Sequence, residues 1–296
     1  MRQICNKRVF HRVPSFVGLV ALLSAAVGCG GASSATGTGL HDVVVPATPP
    51  DELKTAKTFF IPGEAMTFEL ALRDIVGGEA TLVVGQPGEV EGKRVIIVRS
   101  SVESTGVAAM IKEVRDDVTS WIDVDTSQPI YYYADLLFGE KQTIVETSFG
   151  SSKFVIDFER NGKPGKKHQR VPSDEQALDA HSALGALRAW NPVAGERKYF
   201  YGLSGRRLWR VDLMFGKREA LTTSFGSNAA IRYDGLAQRL TGQGTPDKRR
   251  PARNWSIWIS DDANRIPLLI VADTKYGEVK VELVDYARPE RRLGDN

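Results

Sequence analysis

Met66-Thr67-Phe68-Glu69-Leu70-Ala71-Leu72-Arg73 places a large apolar side chain at every second position. In an extended chain successive side chains leave opposite faces, so this stretch predicts a strand buried on one face and wet on the other. The pattern returns along the chain. Phe154, Ile156 and Phe158 alternate with Lys153, Val155 and Asp157; Trp209, Val211, Leu213 and Phe215 alternate with Leu208, Arg210, Asp212 and Met214; and Val279, Val281 and Leu283 alternate with Glu278, Lys280 and Glu282. Gly77-Gly78, Gly85-Gln86-Pro87-Gly88, Asn161-Gly162, Gly202-Leu203-Ser204-Gly205 and Tyr276-Gly277 fall between the runs as turn signals. Connections this short join antiparallel neighbours, so residues 58–287 are expected to be a mainly β domain built largely of antiparallel sheet.

One helix interrupts the strands. Ser173-Asp174-Glu175-Gln176 has the form of a capping box, Ala177, Ala180, Leu184 and Leu187 recur at helical spacing, and Asn191-Pro192 stops the run. Val107 to Val114 suits a second helix or a strand. Thr147-Ser148-Phe149-Gly150-Ser151 recurs as Thr223-Ser224-Phe225-Gly226-Ser227, which reads as reuse of one turn, because the other motifs do not repeat at that offset.

The amino-terminal part is of another kind. Arg2, Lys7, Arg8 and Arg12 precede an apolar run from Phe16 to Val27, the charge order of an export signal. The run has 12 residues, whereas a membrane span needs about 20. Ala26-Val27-Gly28-Cys29 resembles the lipobox of bacterial lipoproteins, with Ala26 where Leu is usual. That resemblance implies a signal peptide over 1–28 and a diacylglyceryl group on Cys29. The other cysteine, Cys5, lies in the leader, so the mature chain forms no internal disulfide. Residues 29–57 are dominated by Gly, Ala, Ser, Thr and Pro and read as a flexible tether spanning on the order of 30 Å. Residues 288–296 read as a polar tail.

The chain has 39 basic and 36 acidic residues, and the leader takes four of the basic ones, leaving 35 against 36. A near-neutral mature protein gives no electrostatic case for nucleic acid as a partner.

Several local patterns together resemble the bacterial domain-of-unknown-function family 3108, which is made up of exported envelope proteins. They are Phe60-Ile61-Pro62-Gly63-Glu64 ahead of the first strand; Gly77-Gly78-Glu79-Ala80; Asp179, Ser182, Leu184, Leu187 and Arg188; Ile257-Trp258-Ile259-Ser260-Asp261-Asp262; Arg265-Ile266-Pro267; and Thr274-Lys275-Tyr276-Gly277 with Val281-Glu282-Leu283. The resemblance runs from about Phe59 to Asp285, departing over Gly106 to Val124 and Lys163 to Arg170. It implies a curved, rolled antiparallel sheet, a half-barrel, with one or two packed helices and a place in the cell envelope. It carries over no catalytic residue.

Candidate chemistry is sparse. Beyond Cys29 the mature chain offers His41, His168 and His181, none at metal-ligand spacing, so no metal or cofactor is expected. Asp123-Val124-Asp125-Thr126-Ser127 begins like a calcium loop, but Gln128 replaces the turn glycine and Ala134 the bidentate Glu. No nucleophile elbow or phosphate loop occurs. Asp116-Asp117 and Asp261-Asp262 are adjacent, so in strands they point to opposite faces. Lys163, Lys166, Lys167 and Arg170, and Lys248, Arg249, Arg250 and Arg253, read as solvated basic loops, and Tyr131-Tyr132-Tyr133 as a strand with tyrosines on both faces. The chain is thus expected to be a non-enzymatic envelope lipoprotein, held in the outer membrane through Cys29, that serves as a binding or assembly module for an apolar or envelope-derived molecule or a partner protein. The alternatives are a hydrolase of envelope polymers and, without lipidation of Cys29, a soluble periplasmic protein. Mass analysis of the mature amino terminus is expected to find it at Cys29 with a diacylglyceryl thioether; an unmodified Cys29 or another terminus would overturn that assignment.

Overall fold

Met66, Phe68 and Leu70 turn inward from a strand, as their alternation requires. In the computed structural model, which describes residues 50–53, 59–150, 152–172, 176–274 and 277–289, the chain is mainly β. It runs through β1 (Asp51–Glu52), β2 (Ala65–Leu72), β3 (Ile75–Val84), β4 (Gly88–Val90), β5 (Lys93–Ser104), α1 (Gly106–Ile111), β6 (Val114–Asp123), β7 (Pro129–Phe138), β8 (Lys141–Ser148), β9 (Lys153–Arg160) and β10 (Lys163–Arg170). It continues through β11 (Leu178–Asp179), α2 (Ala180–Ala189), β12 (Arg197–Ser204), β13 (Arg207–Thr223), β14 (Gly226–Arg239), β15 (Arg253–Ser260), β16 (Pro267–Thr274) and β17 (Gly277–Ala287). The export signal, Cys29 and most of the tether lie outside the described residues. The end of the expected tether is held to the sheet: β1 pairs with β12, and Leu53 is buried.

From β12 to β17 each strand pairs antiparallel with the next. β17 then pairs with β2, joining the last strand to an early one, and the ladder continues through β3, β5, β6, β7, β8, β9 and β10. β12 is flanked by β13 on one edge and by the short parallel strands β1 and β11 on the other, and no ladder joins these to β10 among the described residues, which leaves a seam. Side chains close the seam: Lys167 Nζ donates to the Arg206 carbonyl (2.9 Å), Gln169 Nε2 to the Thr241 carbonyl (2.7 Å), and the Gly205 N–H to Tyr132 Oη (3.1 Å). Tyr132, Ala134 and Ile156 from one end of the sheet pack with Leu203 and Leu208 from the other.

Local chemistry corrects several sequence expectations. Gly77-Gly78 is not a turn; the chain reverses at Arg73 and Asp74, both at positive φ, and the two glycines continue β3. A Cβ at Gly78 would stand 2.9 Å from the Glu103 carbonyl oxygen, and one at Gly77 2.8 Å from Ala108, so these glycines permit close approach. Gly202 and Leu203 likewise belong to β12, and the turn is at Gly205-Arg206. Lys163 to Arg170 is not a loop but an edge strand, with Lys166 bridging cross-strand Asp157 at 2.7 Å and Gly165 leaving room for the Phe158 ring. The open reading at Val107 to Val114 resolves into α1, followed by β6 from Val114.

The expected capping box at Ser173 to Gln176 falls largely on residues outside those described. α2 itself begins at Ala180, and its box is made by Asp179 and Ser182: the Ser182 N–H donates to Asp179 Oδ1 (2.8 Å) and the Asp179 N–H to Ser182 Oγ (2.9 Å). The helix lies inside the roll, with His181 to Arg188 all buried. Leu184 and Leu187 pack into the main core with Met66, Phe68, Val211 and Ile257.

Burying Arg188 there requires complete neutralisation. Its guanidinium and the Glu64 carboxylate are both fully buried and meet in a two-pronged pair, Nη1 to Oε1 at 2.6 Å and Nη2 to Oε2 at 3.0 Å. Nε and Nη2 also donate to the carbonyls of Arg265 (2.9 Å) and Asn264 (3.0 Å), and the Phe59 and Phe60 rings flank the cation. Arg265 reciprocates by donating to the carbonyls of Arg188 and Trp190 and to Tyr233 Oη, closing the carboxyl end of α2. The Asp262 carboxylate shapes the turn that presents Arg265, accepting from Ser260 Oγ and the N–H groups of Asn264 and Arg265. Removing one partner of such a pair strands a buried charge, at a cost of about 3–5 kcal/mol. Arg188→Met and Glu64→Gln are each expected to destabilise by that amount in chemical denaturation, and Glu64→Leu/Arg188→Met to recover most of the loss. A double variant as weak as the sum of its singles would contradict this account.

Candidate functional site

His181 stands in the first turn of α2 and is buried between β5 and β6. Ser100 Oγ meets its Nε2, and Ser120 Oγ meets its Nδ1 at 2.7 Å. Burial pushes the imidazole down to about 4, so near neutrality it is uncharged, with one nitrogen accepting and the other donating. Among the described residues His181 is not part of a catalytic triad. The nearby Asp179 carboxylate serves the helix cap and Ser182 Oγ, while both imidazole nitrogens are taken by hydroxyls.

Beside His181 the interior is not filled. A cavity of ≈ 120 Å³ lies between α2 and the inner faces of β12 to β16, walled by Leu184, Leu187, Phe200, Trp209, Trp255 and Ile270 among others. Apolar cavities of about 150 Å³ stay dry and accept a benzene-sized guest. Three buried polar atoms of lining residues have no hydrogen-bond partner among the described residues: Asp179 Oδ2, Trp209 Nε1 and Trp255 Nε1. The Trp255 indole crosses β14 over Gly235, where a Cβ would come within 2.3 Å of the ring. Ser100 and Ser120 are not on the cavity wall.

Trp209 also borders a second cavity, of ≈ 270 Å³, at the end of the roll, together with Arg207, Arg239, Arg250 and Arg253. Three strands here repeat one arrangement. On β13 Arg207 stands two residues from Trp209, on β14 Arg239 two from Ala237, and on β15 Arg253 two from Trp255, so each arginine shares a face with a cavity residue. The register aligns them, Trp209 with Arg239 and Ala237 with Arg253. Desolvation and the neighbouring arginines push the Arg207 guanidinium down to about 10, and Lys167 on the seam is pushed down to about 8 by burial and by Arg239, Arg206 and Arg207.

A third recess, of ≈ 130 Å³, lies at the seam, lined by Asp116, Leu136, Phe138, Thr143, Arg160 and Arg206 among others. Burial, then the charges of Asp135 and Asp117, raises Asp116 to about 8. As adjacency predicts, Asp117 faces the other way and meets Arg99 (3.2 Å). Asp261 and Asp262 separate too, the first binding Arg218 and the second holding its own turn.

Other sequence candidates disperse. Cys29 and His41 lie outside the described residues, and His168 is exposed on β10. Asp123 accepts from the N–H groups of Asp125 and Thr126 within its turn. Tyr132 is buried at the seam, with Tyr131 and Tyr133 on the other face of β7. Arg250 and Arg253 join a cavity that sequence reading did not assemble, because Arg207 and Arg239 lie far from them in the chain. The available signal was Arg207-Leu208-Trp209 repeated as Arg253-Asn254-Trp255.

The displaced titrations of His181 and Asp116 act on stability with opposite sign. Histidine titrates near 6.5 in an unfolded chain and His181 near 4 in the fold, so the unfolded chain takes up protons first. Its contribution is complete above 6.5 and is lost as pH falls toward 4. Asp116 moves from 3.8 up to about 8, so its contribution is complete below 3.8 and is lost as pH rises through about 8. Asp116→Asn is expected to raise stability at pH 8 by an amount on the order of a few kcal/mol, and His181→Gln to flatten the acid decline between pH 6.5 and 4. Denaturation curves across this range check both; an unchanged slope in either variant contradicts its assignment.

The profile of the family described as a protein of unknown function, DUF3108, matches residues 66–284. No protein of curated function matches the chain. Among solved structures the chain is similar to a β-barrel-like protein of the DUF1849 family from Brucella abortus, at 11% identity and a TM-score of 0.51, over 78% of this chain and 99% of that one. Fainter likenesses are to a candidate exported protein with a YmcC-like fold from Bacteroides fragilis (8% identity, TM-score 0.36, 78% and 99% covered) and to a candidate lipoprotein from Parabacteroides distasonis (6%, 0.33, 79% and 100%). The Brucella likeness is one of fold. Since the family profile runs from β2 into β17, the chain belongs to the DUF3108 family of proteins of unknown function.

Proposed function

We propose that this protein is a non-enzymatic, lipid-anchored envelope protein whose β-roll holds an apolar part of an envelope-derived molecule between α2 and the strands facing it. The observation that carries the reading is the ≈ 120 Å³ cavity walled by Leu184, Leu187, Phe200, Trp209, Trp255 and Ile270. Close packing fills most of the interior, so a recess lined by aliphatic and aromatic side chains is a place where an apolar guest replacing water would stabilise the fold. Anchoring through Cys29 would keep the domain at a membrane surface, and the tether would let it reach off that surface. The neutral residue Gly30 after the anchor favours the outer membrane.

The hydrolytic alternative has less support. Asp116 holds a proton near neutrality, but its neighbour Asp117 turns to the opposite face, so these carboxylates do not form an acid and base across one recess.

Because Trp209 and Trp255 line the cavity, a guest changes their emission. Titration with 1-octanol is expected to give a saturable fluorescence change in the wild-type protein, and Ala272→Leu, which fills the cavity, to abolish it while unfolding stays cooperative. A wild-type protein with no saturable response would remove the proposal.

A further inference from the structure

Four arginines, Arg207, Arg239, Arg250 and Arg253, line one cavity at the end of the roll. Several surface arginines elsewhere meet a carboxylate on the same strand, as Arg210 meets Asp212 (2.9 Å) and Arg232 meets Asp234 (2.8 Å). Arg207 and Arg253 have no acidic partner among the described residues, although both are half-buried. The Arg253 guanidinium lies over the Trp209 ring at 5.7 Å. Arg239 reaches Asp247 only at 3.6 Å, and Asp247 is already bonded to Arg249 at 3.1 Å. Asp273 is the single carboxylate lining the ≈ 270 Å³ cavity, against four arginines. Guanidinium groups held together, partly dehydrated and outnumbering the carboxylates beside them, form a preorganised site for an anion with two or more oxygens.

This cluster meets the apolar cavity at Trp209, which lines both. The order along β13 is Arg207, Trp209, Val211, and along β15 Arg253, Trp255, Ile257, so each strand passes from cation to indole to aliphatic wall on one face. From Arg207 to Val211 is about 13 Å of strand, a length that suits a head and a short alkyl segment. Building on the proposed binding role, we infer that the occupant is a single-chain anionic amphiphile whose carboxylate or phosphate sits on Arg207, Arg239, Arg250 and Arg253 and whose alkyl end passes Trp209 into the cavity beside α2. The depressed basicity of Arg207 agrees with an unneutralised cluster that an anion would relieve.

The test uses four eight-carbon probes with the intact protein: octanoate, octyl phosphate, 1-octanol and octyltrimethylammonium. Octanoate or octyl phosphate is expected to bind at least about tenfold more tightly than octanol, the value of one charge-assisted contact, and the cation most weakly. Arg207→Gln/Arg253→Gln is expected to cancel the advantage of the anions while leaving octanol affinity within about twofold, which also shows that the variant folds. Added salt should weaken the anions and spare octanol. The preferred anion distinguishes a fatty-acid from a phospholipid-derived head. Octanol or the cation binding as tightly as the anions, or a double variant that keeps their advantage, would overturn the headgroup inference and leave the cavity reading standing. Failure of all four probes would remove both.

Discussion

A guanidinium cannot sit inside a β-roll unless every charge and donor on it is answered, and Arg188 is the residue around which this protein answers that requirement. Glu64 supplies the opposite charge from the segment leading into β2, Arg265 and Asn264 supply carbonyls from the turn before β16, and Phe59 and Phe60 flank the cation. Two distant parts of the chain are thereby fixed to α2. Apolar residues of similar volume would serve stability as well or better, so the pair is better understood as setting the position and direction of the helix. With its other end held by Asp179 and by His181 between Ser100 and Ser120, α2 has one place in the roll. That placement defines the cavity, because the helix forms one wall and the sheet the others.

The strands were readable because period two is a local property: Met66, Phe68 and Leu70, or Val279, Val281 and Leu283, disclose their inner face without reference to a partner. Errors arose where one residue type serves two purposes. Gly77 and Gly78 signal a turn, yet here they admit Ala108 and the Glu103 backbone against the strand. Lys163 to Arg170 lacks apolar alternation because its inward residues are Gly165, Lys167 and Gln169, two of which bind carbonyls across the seam. The Glu64–Arg188 pair spans 124 residues, and no spacing rule reaches that far. Its members nonetheless lie in separate stretches of the family resemblance, Phe60 to Glu64 and the α2 pattern, and Arg265 lies in a third. That pattern therefore describes in large part the socket of a helix.

What α2 leaves open has a chemical gradient. Leu184, Leu187 and Ile270 make a hydrocarbon wall, Trp209 and Trp255 add aromatic rings, and Arg207, Arg239 and Arg253 add positive charge toward the end of the sheet. The gradient follows from side-chain alternation once the register of β13, β14 and β15 is set. Anchored through Cys29 as proposed, a domain with such an interior would meet amphiphiles at the membrane surface, where an alkyl chain has a hydrophobic reason to enter and an anionic head a Coulombic reason to stay.

The most direct test of this account is a crystal structure of the folded domain grown with octyl phosphate. It should show an alkyl chain between α2 and the Trp209 and Trp255 rings, with phosphate oxygens in hydrogen-bond contact with Arg207 and Arg253. An empty cavity, or one closed by rotation of either indole with the phosphate elsewhere, would contradict it.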